Sequence, residues 1–252
     1  MKFIGLSKLR RMIAATFLGL VLSAPAQAIT IELSLVIDAS GSISSTEFAQ
    51  QINAYSNIFG SGSFYDDFVT AGDQLHVNAI LFAQNVIEKV SFQLINDNAS
   101  ASAFGALIGA VTRAGMSTGA TNTAAGTNAG TSTILGNGIN GDRQIIDVST
   151  DGFPNQPAGA EAAAIAAAAN ALANGITVNA IGIGSGVGAG FLNSFSTAGG
   201  GFFVQAATFA DFQAVLADKL LKEIKGVPEP SSIALLALGL IGLGIARRTR
   251  KA

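Results

Sequence analysis

The feature that most constrains this chain is a repeated exchange between short apolar runs and longer helical stretches. β-Prone runs occur at residues 31–37, 75–82, 86–94, 144–149, 176–183 and 202–205, and helical patterns at 44–59, 99–113, 158–173 and 209–224. Strands separated by helices are joined by right-handed crossovers, which build parallel sheets covered on both faces. Only three residues separate the second and third runs, so these two should pair as a hairpin. We therefore expect an α/β fold with a mostly parallel sheet of about six strands and one antiparallel edge strand.

The charges of the chain are strongly segregated. Eight of the 14 Lys and Arg residues lie in the two terminal segments, whereas all 16 carboxylates lie between Glu32 and Glu229. The central region is therefore acidic, and nucleic acid would repel it. The chain has no Cys and a single His, which excludes disulfides, Cys/His zinc sites, thiol catalysis and most His-based triads. Any chemistry at a site must rely on oxygen ligands.

Residues 1–28 have the pattern of a secretory signal peptide. Basic residues precede an apolar run at 12–22, and Ala24-Pro25-Ala26-Gln27-Ala28 supplies the small residues that signal peptidase requires. The apolar run is about half of the roughly 20 residues needed to span a bilayer. We expect export and a mature chain that starts near Ile29.

The last 26 residues carry a second apolar segment, at 233–246, which follows Pro228-Glu229-Pro230 and precedes an Arg-rich end. Fourteen helical residues cover roughly 21 Å, short of the roughly 30 Å hydrocarbon core. This order resembles the PEP-CTERM sorting signal of Gram-negative bacteria. The resemblance implies that residues 227–252 are a sorting signal with a short transmembrane helix. It also implies a transient inner-membrane intermediate, removal of the signal by an exosortase, and delivery to the cell surface or extracellular matrix. A plain C-terminal anchor is the alternative.

Two predicted strands end in acidic loops. The first runs into Asp38-Ala39-Ser40-Gly41-Ser42 and the fourth into Thr150-Asp151-Gly152. Ligand sites in parallel sheets form beyond the carboxyl ends of the strands. One carboxylate and two hydroxyls on a tight loop suit a hard cation such as Mg²⁺, which prefers oxygen ligands and keeps some of its waters. A simple Asx-turn with a helix cap is the alternative for the first loop alone.

At these residues the chain resembles the von Willebrand factor A domain, over residues 29–226. That family holds a divalent cation with Asp-x-Ser-x-Ser, a Thr on a second loop and an Asp after a later strand, in a Rossmann-like fold. The resemblance implies that Mg²⁺, or else Mn²⁺ or Ca²⁺, is the cofactor. It assigns five residues as metal ligands: Asp38, Ser40, Ser42, Thr121 and Asp151.

The threonine ligand is the least fixed of these assignments. Thr121 lies in Gly119-Ala120-Thr121, at the head of a predicted helix of small residues, and this segment matches the family's Gly-Gly-Thr loop with Ala120 in place of one Gly. Thr123, Thr127 and Thr131 remain alternatives because the stretch is rich in Thr, Gly and Ala.

Residues 143–152 and the final helical segment resemble a bacterial branch of these domains with no assigned function. Asp147 is unusual because it interrupts an apolar strand, and a carboxylate facing a core must be paired or hydrogen-bonded. Two roles are open: support of the site loops, or local pairing with Arg143 at a strand edge.

The resemblance implies a surface or matrix module that captures a carboxylate of a protein partner through the metal. The alternative is a structural matrix component in which the metal only stabilises the loops. We expect no enzyme activity, because neither a general base nor an electrophile other than the metal is visible. The glycine-rich stretch 182–190 lacks the acidic residue of a dinucleotide site and is interpreted as a loop at the site rim.

Overall fold

The computed structural model describes residues 28–226, which form six strands and seven helices. The strands are β1 (Thr30–Asp38), β2 (Gln74–Phe82), β3 (Val86–Ile95), β4 (Arg143–Thr150), β5 (Ile176–Ile183) and β6 (Gly200–Ala206). The helices are α1 (Ser45–Phe59), α2 (Phe64–Phe68), α3 (Asn98–Gly109), α4 (Thr123–Gly136), α5 (Ala160–Ala173), α6 (Ala189–Ala198) and α7 (Phe212–Lys225).

The six strands form one sheet in the order β3-β2-β1-β4-β5-β6. All neighbours are parallel except β2 and β3, which pair as an antiparallel hairpin at one edge. The predicted fold class is confirmed. β1 lies between β2 and β4, so the chain reverses its direction of winding at β1. In such sheets the crevice at the carboxyl ends of the two strands at this point is the usual ligand site.

Alternate residues of the buried strands serve two separate cores. Ile31, Leu33 and Leu35 point to a core beneath α1, α3 and α7. Val36 points to the opposite core, which includes apolar residues of α4, α5 and α6. Helix α4 lies very close to the sheet because a Cβ at Gly126 would approach the Phe82 ring to 2.8 Å. Both faces are therefore covered, as parallel strands require.

Local capping explains where two helices begin. Ser44 precedes α1, and its hydroxyl accepts a hydrogen bond from the amide of Glu47, whose carboxylate accepts one from the amide of Ser44. Asp97 and Ser100 form the same reciprocal arrangement at α3. Such capping boxes satisfy amides that lack partners within the helix. The first one fixes α1 directly after the acidic loop of β1.

The structure also differs from the sequence predictions. Helices α2 and α6 were not predicted: α2 has only five residues, and α6 follows a glycine-rich loop that hides its start. The predicted signal peptide, apart from Ala28, and the predicted sorting tail at 227–252 lie outside the described residues. Within residues 28–226, no helix is both long enough and apolar enough to span a membrane.

Candidate metal centre

The loop after β1 is held rigidly beside the sheet. The fully buried Asp38 accepts a hydrogen bond at Oδ1 from the amide of Ser40, over 2.8 Å, in an Asx-turn. Its carbonyl oxygen accepts a second, 2.9 Å bond from the side chain of Gln51 on α1. Gly41 packs closely on the neighbouring loop, where a Cβ would lie 2.9 Å from the carbonyl oxygen of Thr118. The predicted turn is therefore present, and it orients the loop.

The loop after β4 meets this first loop directly. Ser42 donates a 2.6 Å hydrogen bond to Oδ1 of Asp151, and the hydroxyls of Ser40 and Ser42 lie 3.1 Å apart. The hydroxyl of Thr150 donates a 2.6 Å bond to Oδ2 of Asp38. The two carboxylates predicted from separate strand ends thus belong to one hydrogen-bonded cluster. The role of Thr150 was not predicted, because a hydroxyl at the end of a strand carries no distinctive sequence signal.

Thr121 lies in the third loop, immediately before α4. Its amide donates to the side chain of Asn155 over 2.8 Å, and its carbonyl oxygen accepts from the amide of Asn155 over 3.0 Å. A Cβ at Gly152 would lie 4.0 Å from the Thr121 hydroxyl and 3.6 Å from the Ser42 hydroxyl, so both hydroxyls face the same glycine. The loop that carries Thr121 is therefore fixed to the loop that carries Asp151, through an asparagine that the sequence analysis missed.

The alternative threonines lie within α4. The hydroxyl of Thr127 donates to the carbonyl oxygen of Thr123, and that of Thr131 donates to the carbonyl oxygen of Thr127. Such bonds to the preceding turn are typical of threonines that face a helix backbone. Thr123 begins the helix, and its buried hydroxyl has no hydrogen-bond partner within residues 28–226. Thr121 is thus the candidate that lies in the loop rather than in the helix.

Two further residues shape the rim of the site. A Cβ at Gly186 would clash with the carbonyl oxygen of Asp151, so the loop after β5 packs against the acidic loop, as its predicted place at the rim requires. Arg113 donates a 2.7 Å hydrogen bond to the carbonyl oxygen of Ile43 and lies 4.5 Å from the centre of the Phe48 ring. Partial burial lowers the pKa of its guanidinium, and the nearby charges of Asp38 and Asp151 oppose that decrease.

The electrostatics favour a bound cation. Burial raises the pKa of Asp38 from 3.8 to about 6, hydrogen bonds from Ser40 and Thr150 oppose the increase, and the charge of Asp151 adds to it. Burial also raises the pKa of Asp151. Both carboxylates are therefore harder to ionise than ordinary aspartates, and a cation between them would remove that penalty.

The donor set fits a hard divalent ion. The five predicted residues contribute two carboxylates and three hydroxyls, with no nitrogen or sulfur, which is the chemistry that Mg²⁺, Mn²⁺ and Ca²⁺ prefer. Among residues 28–226 there is no group of three Asp, Glu, His or Cys side chains placed to hold a metal. A cation here would therefore depend on the hydroxyls and on water to complete its shell.

The two roles considered for Asp147 are wrong. β4 is a central strand, and Asp147 faces the core beneath α7, where it is paired with the buried Lys219. Arg143 instead donates to the carbonyl oxygens of Glu223 and Ile224 at the end of α7. The pairing of Asp147 with Lys219 was not predicted from the sequence.

Comparison with solved structures defines the class of fold. A von Willebrand factor domain of the type V pili tip protein Mfa5 from Porphyromonas gingivalis matches 79% of this chain and 96% of its own, at TM-score 0.57 and 14% identity. An aerotolerance-related membrane protein from Bacteroides fragilis matches 78% of this chain and 100% of its own, at TM-score 0.58 and 17% identity. Proximal thread matrix protein 1 from the mussel byssus, in a form with a zinc-occupied metal-ion-dependent adhesion site, matches 77% of this chain, which spans 46% of that protein, at TM-score 0.58 and 17% identity. The fold is that of von Willebrand factor A domains.

Sequence comparison assigns the family. The chain belongs to the family described as "Protein of unknown function (DUF1194)", which matches residues 28–228. The PEP-CTERM protein-sorting motif matches residues 226–251, and it supports export and surface targeting. No curated protein matches the sequence.

Proposed function

We propose that this protein is an exported cell-surface or matrix module that binds a protein partner through a divalent cation at the candidate metal centre. The observation that carries the proposal is the meeting of two acidic loops, in which Ser42 is hydrogen-bonded to Asp151 and lies beside Ser40. A cation bound there, most readily Mg²⁺, would supply an open coordination position for a carboxylate of the partner. The five residues that would hold it are Asp38, Ser40, Ser42, Thr121 and Asp151.

The protein's own residues prepare the site in two ways. The Asx-turn at Asp38 and the bonds of Asn155 hold the three loops in place before any ligand arrives, which reduces the entropy lost on binding. Arg113 adds a positive charge at the rim of an acidic domain. A positive charge near the contact favours an acidic partner over a basic one and speeds its approach.

The surroundings of the site support binding rather than catalysis. The residues that face the centre are carboxylates, hydroxyls and one guanidinium, and none of them is a His, Cys or Lys placed as a base or nucleophile. We therefore propose a non-enzymatic function. Export with the predicted signal peptide and sorting tail, through an inner-membrane intermediate processed by an exosortase-type enzyme, would deliver the domain to the surface.

A second function remains in view because the mussel protein with the zinc-occupied site is a thread matrix protein. In that case the metal would only fix the loops, and the domain would be a structural matrix component. The two functions differ in one respect: adhesion needs the metal for partner capture, whereas a structural role needs it only for stability.

The test compares capture of proteins from extracellular matrix extract on immobilised protein, in Mg²⁺ and in chelator. Wild type is compared with Asp151→Asn, and with Glu161→Gln as a control that removes an equal charge from an exposed position on α5. Adhesion predicts that wild type and the control retain the same partner in Mg²⁺ only, and that Asp151→Asn retains none. A partner retained equally in chelator would refute metal-dependent capture. A metal that raises the melting temperature without any capture would favour the structural role.

A further inference from the structure

Three ionisable side chains meet in the core between β4 and α7. Lys219 on α7 contacts Asp147 on β4 and also Glu223, one turn further along α7. All three side chains are fully shielded from solvent. These are the two close contacts between a lysine or arginine and a carboxyl group within residues 28–226, and both use the same nitrogen.

Polar atoms of this cluster lack the hydrogen bonds that a purely structural ion cluster would have. Two buried oxygens of the cluster itself, Asp147 Oδ2 and Glu223 Oε2, have no hydrogen-bond partner in the described part of the chain. Buried charges are normally retained only when their remaining lone pairs are hydrogen-bonded, because removing an ion from water is costly. These atoms therefore point to a state of the cluster with fewer charges.

The protonation state of Glu223 also reduces the number of charges in the cluster. Burial, and then the charge of Asp147, raise the pKa of Glu223 to about 8, so Glu223 keeps its proton at neutral pH. The nitrogen of Lys219 and the carboxyl group of Asp147 are in direct contact. Burial opposes the ammonium form of Lys219, but the charges of Asp147 and Glu223 outweigh burial and raise the pKa of Lys219, so the amine becomes neutral only by passing its proton to a carboxyl group in contact with it. A proton passing from Lys219 to Asp147 produces a neutral amine and a neutral acid, and burial favours that uncharged pair.

We propose that Lys219 and Asp147 become joined by an amide bond, with Glu223 as the proton carrier of the reaction. The nitrogen of Lys219 attacks Cγ of Asp147 and a C–N bond forms. Glu223 gives its proton to the departing hydroxyl of Asp147 and takes one from the nitrogen, while the C–O bond breaks. The products are an amide and one water molecule, and Glu223 is unchanged, so the step needs no oxidant or other reactant.

The fold provides what this reaction requires. Contact in a fixed geometry gives effective concentrations of about 10⁵–10⁸ M for well-aligned groups. Phe202, whose ring centre is 5.8 Å from the Lys219 nitrogen, and Tyr55 help to keep the cluster dry. A groove of about 440 Å³, whose lining includes Phe202 and Glu223, adjoins the cluster and gives the released water a way out.

The bond would link the central strand of the sheet to the last helix, between residues 72 positions apart. An exported chain without cysteine cannot use disulfides for this purpose. An amide made from Lys and Asp achieves the same constraint without any redox chemistry, and it fastens the helix from which the sorting tail leaves.

The test is the mass of the protein after folding and full denaturation. We expect the measured mass of wild type to be lower than the mass calculated from its sequence by one water molecule. The measured masses of Asp147→Ala and Lys219→Met should equal their calculated masses. Glu223→Ala keeps both reacting groups and should show little or no loss. Glu32→Gln changes another buried carboxylate, which is bound to Asn137 and Gln144, and should still lose one water. Asp147→Asn preserves the shape of the site and should lose ammonia instead of water.

Tryptic digestion locates the bond. No Lys or Arg lies between Arg143 and Lys219, and trypsin does not cleave after an acylated lysine, so the peptide should run from Gln144 to Lys222. If the mass of wild type equals the mass calculated from its sequence, and trypsin cleaves it after Lys219, the proposal is overturned whatever the variants show. Loss of water that persists in Asp147→Ala would also overturn it, because that result would assign the bond to Glu223.

Discussion

Replacing Asp38 by Asn should stabilise the metal-free domain. The carboxylate is completely buried, and its pKa rises from 3.8 to about 6, chiefly through burial. One pKa unit corresponds to about 1.4 kcal/mol, so at pH 7 the ionised Asp38 lowers the free energy of unfolding by about 3 kcal/mol. Asparagine removes this charge and has nearly the same shape.

The hydrogen bonds at this position can survive the change. The side-chain oxygen of the new asparagine can still accept from the amide of Ser40. Its side-chain amide group can donate to the hydroxyl of Thr150, because that hydroxyl lies 3.1 Å from the carbonyl oxygen of Gly152 and can donate there instead. The net effect is then dominated by the loss of charge rather than by an unpaired group.

The sign and pH range follow from the raised pKa. The folded state holds the Asp38 proton more tightly than the unfolded chain does, so wild-type stability falls as pH increases from about 3.8 to about 6 and stays low above that range. For a domain of this size, about 3 kcal/mol corresponds to roughly 6–12 °C in melting temperature. Asp38→Asn should therefore melt higher than wild type at pH 7 in chelator, and near wild type at pH 4.

Thermal melts by circular dichroism, in chelator between pH 4 and pH 8, measure this difference. Asp218→Asn removes the same charge from an exposed position on α7 and should change stability by no more than about 0.5 kcal/mol. Added Mg²⁺ at a hundredfold excess over Kd should increase the free energy of unfolding of wild type by about 2.7 kcal/mol and so raise its melting temperature. The same addition should affect Asp38→Asn much less. Equal melting of wild type and Asp38→Asn in chelator at every pH would refute the reasoning.

Three further predictions concern the loops and the ends of the chain. Thr121→Val should weaken metal binding about tenfold, the equivalent of about 1.4 kcal/mol for a lost ligand. Thr123→Val should leave metal binding unchanged, because the Thr123 hydroxyl is buried without a partner in the described residues. Equal losses of affinity in calorimetric titrations would show that Thr121 is not the threonine ligand. Gly41→Ala should destabilise the domain by about 1–3 kcal/mol in urea unfolding, since the new Cβ would lie 2.9 Å from a backbone oxygen; unchanged stability would mean that the two loops are not in contact. Protein from the native cell surface should lack residues 1–28 and the segment from about Pro228 onward, and an intact mass that includes the Arg-rich end would favour a simple anchor.

The sequence was sufficient for the fold and for the main loops because their signals are local. Apolar strands alternate with helices, and Asp38 and Asp151 each follow such a strand directly. Strand order then brings the two together, since β1 and β4 are neighbours and parallel strands end at the same edge of a sheet. The helix after the first loop was also predictable, because Ser44 and Glu47 have the spacing of a capping box.

Other features depend on contacts between distant residues. Asn155 fixes Thr121 across 34 positions, and nothing in its neighbourhood distinguishes it from any loop asparagine. The pairing of Asp147 with Lys219 had a signal that went unused. An acid inside an apolar strand and a lysine at the helix position between Leu216 and Leu220 are two opposite charges in predicted core segments, and such charges are expected to find each other.

The central claim is that the two acidic loops form one metal site, and direct measurement of Mn²⁺ binding tests it most simply. Free Mn²⁺ has a strong electron paramagnetic resonance signal that is lost on binding, so titration gives both stoichiometry and affinity. The account predicts one bound Mn²⁺ per chain, displaced by Mg²⁺, and much weaker binding in Asp151→Asn. A wild-type protein that binds no Mn²⁺, or one whose binding is unaffected by Asp151→Asn, would contradict it.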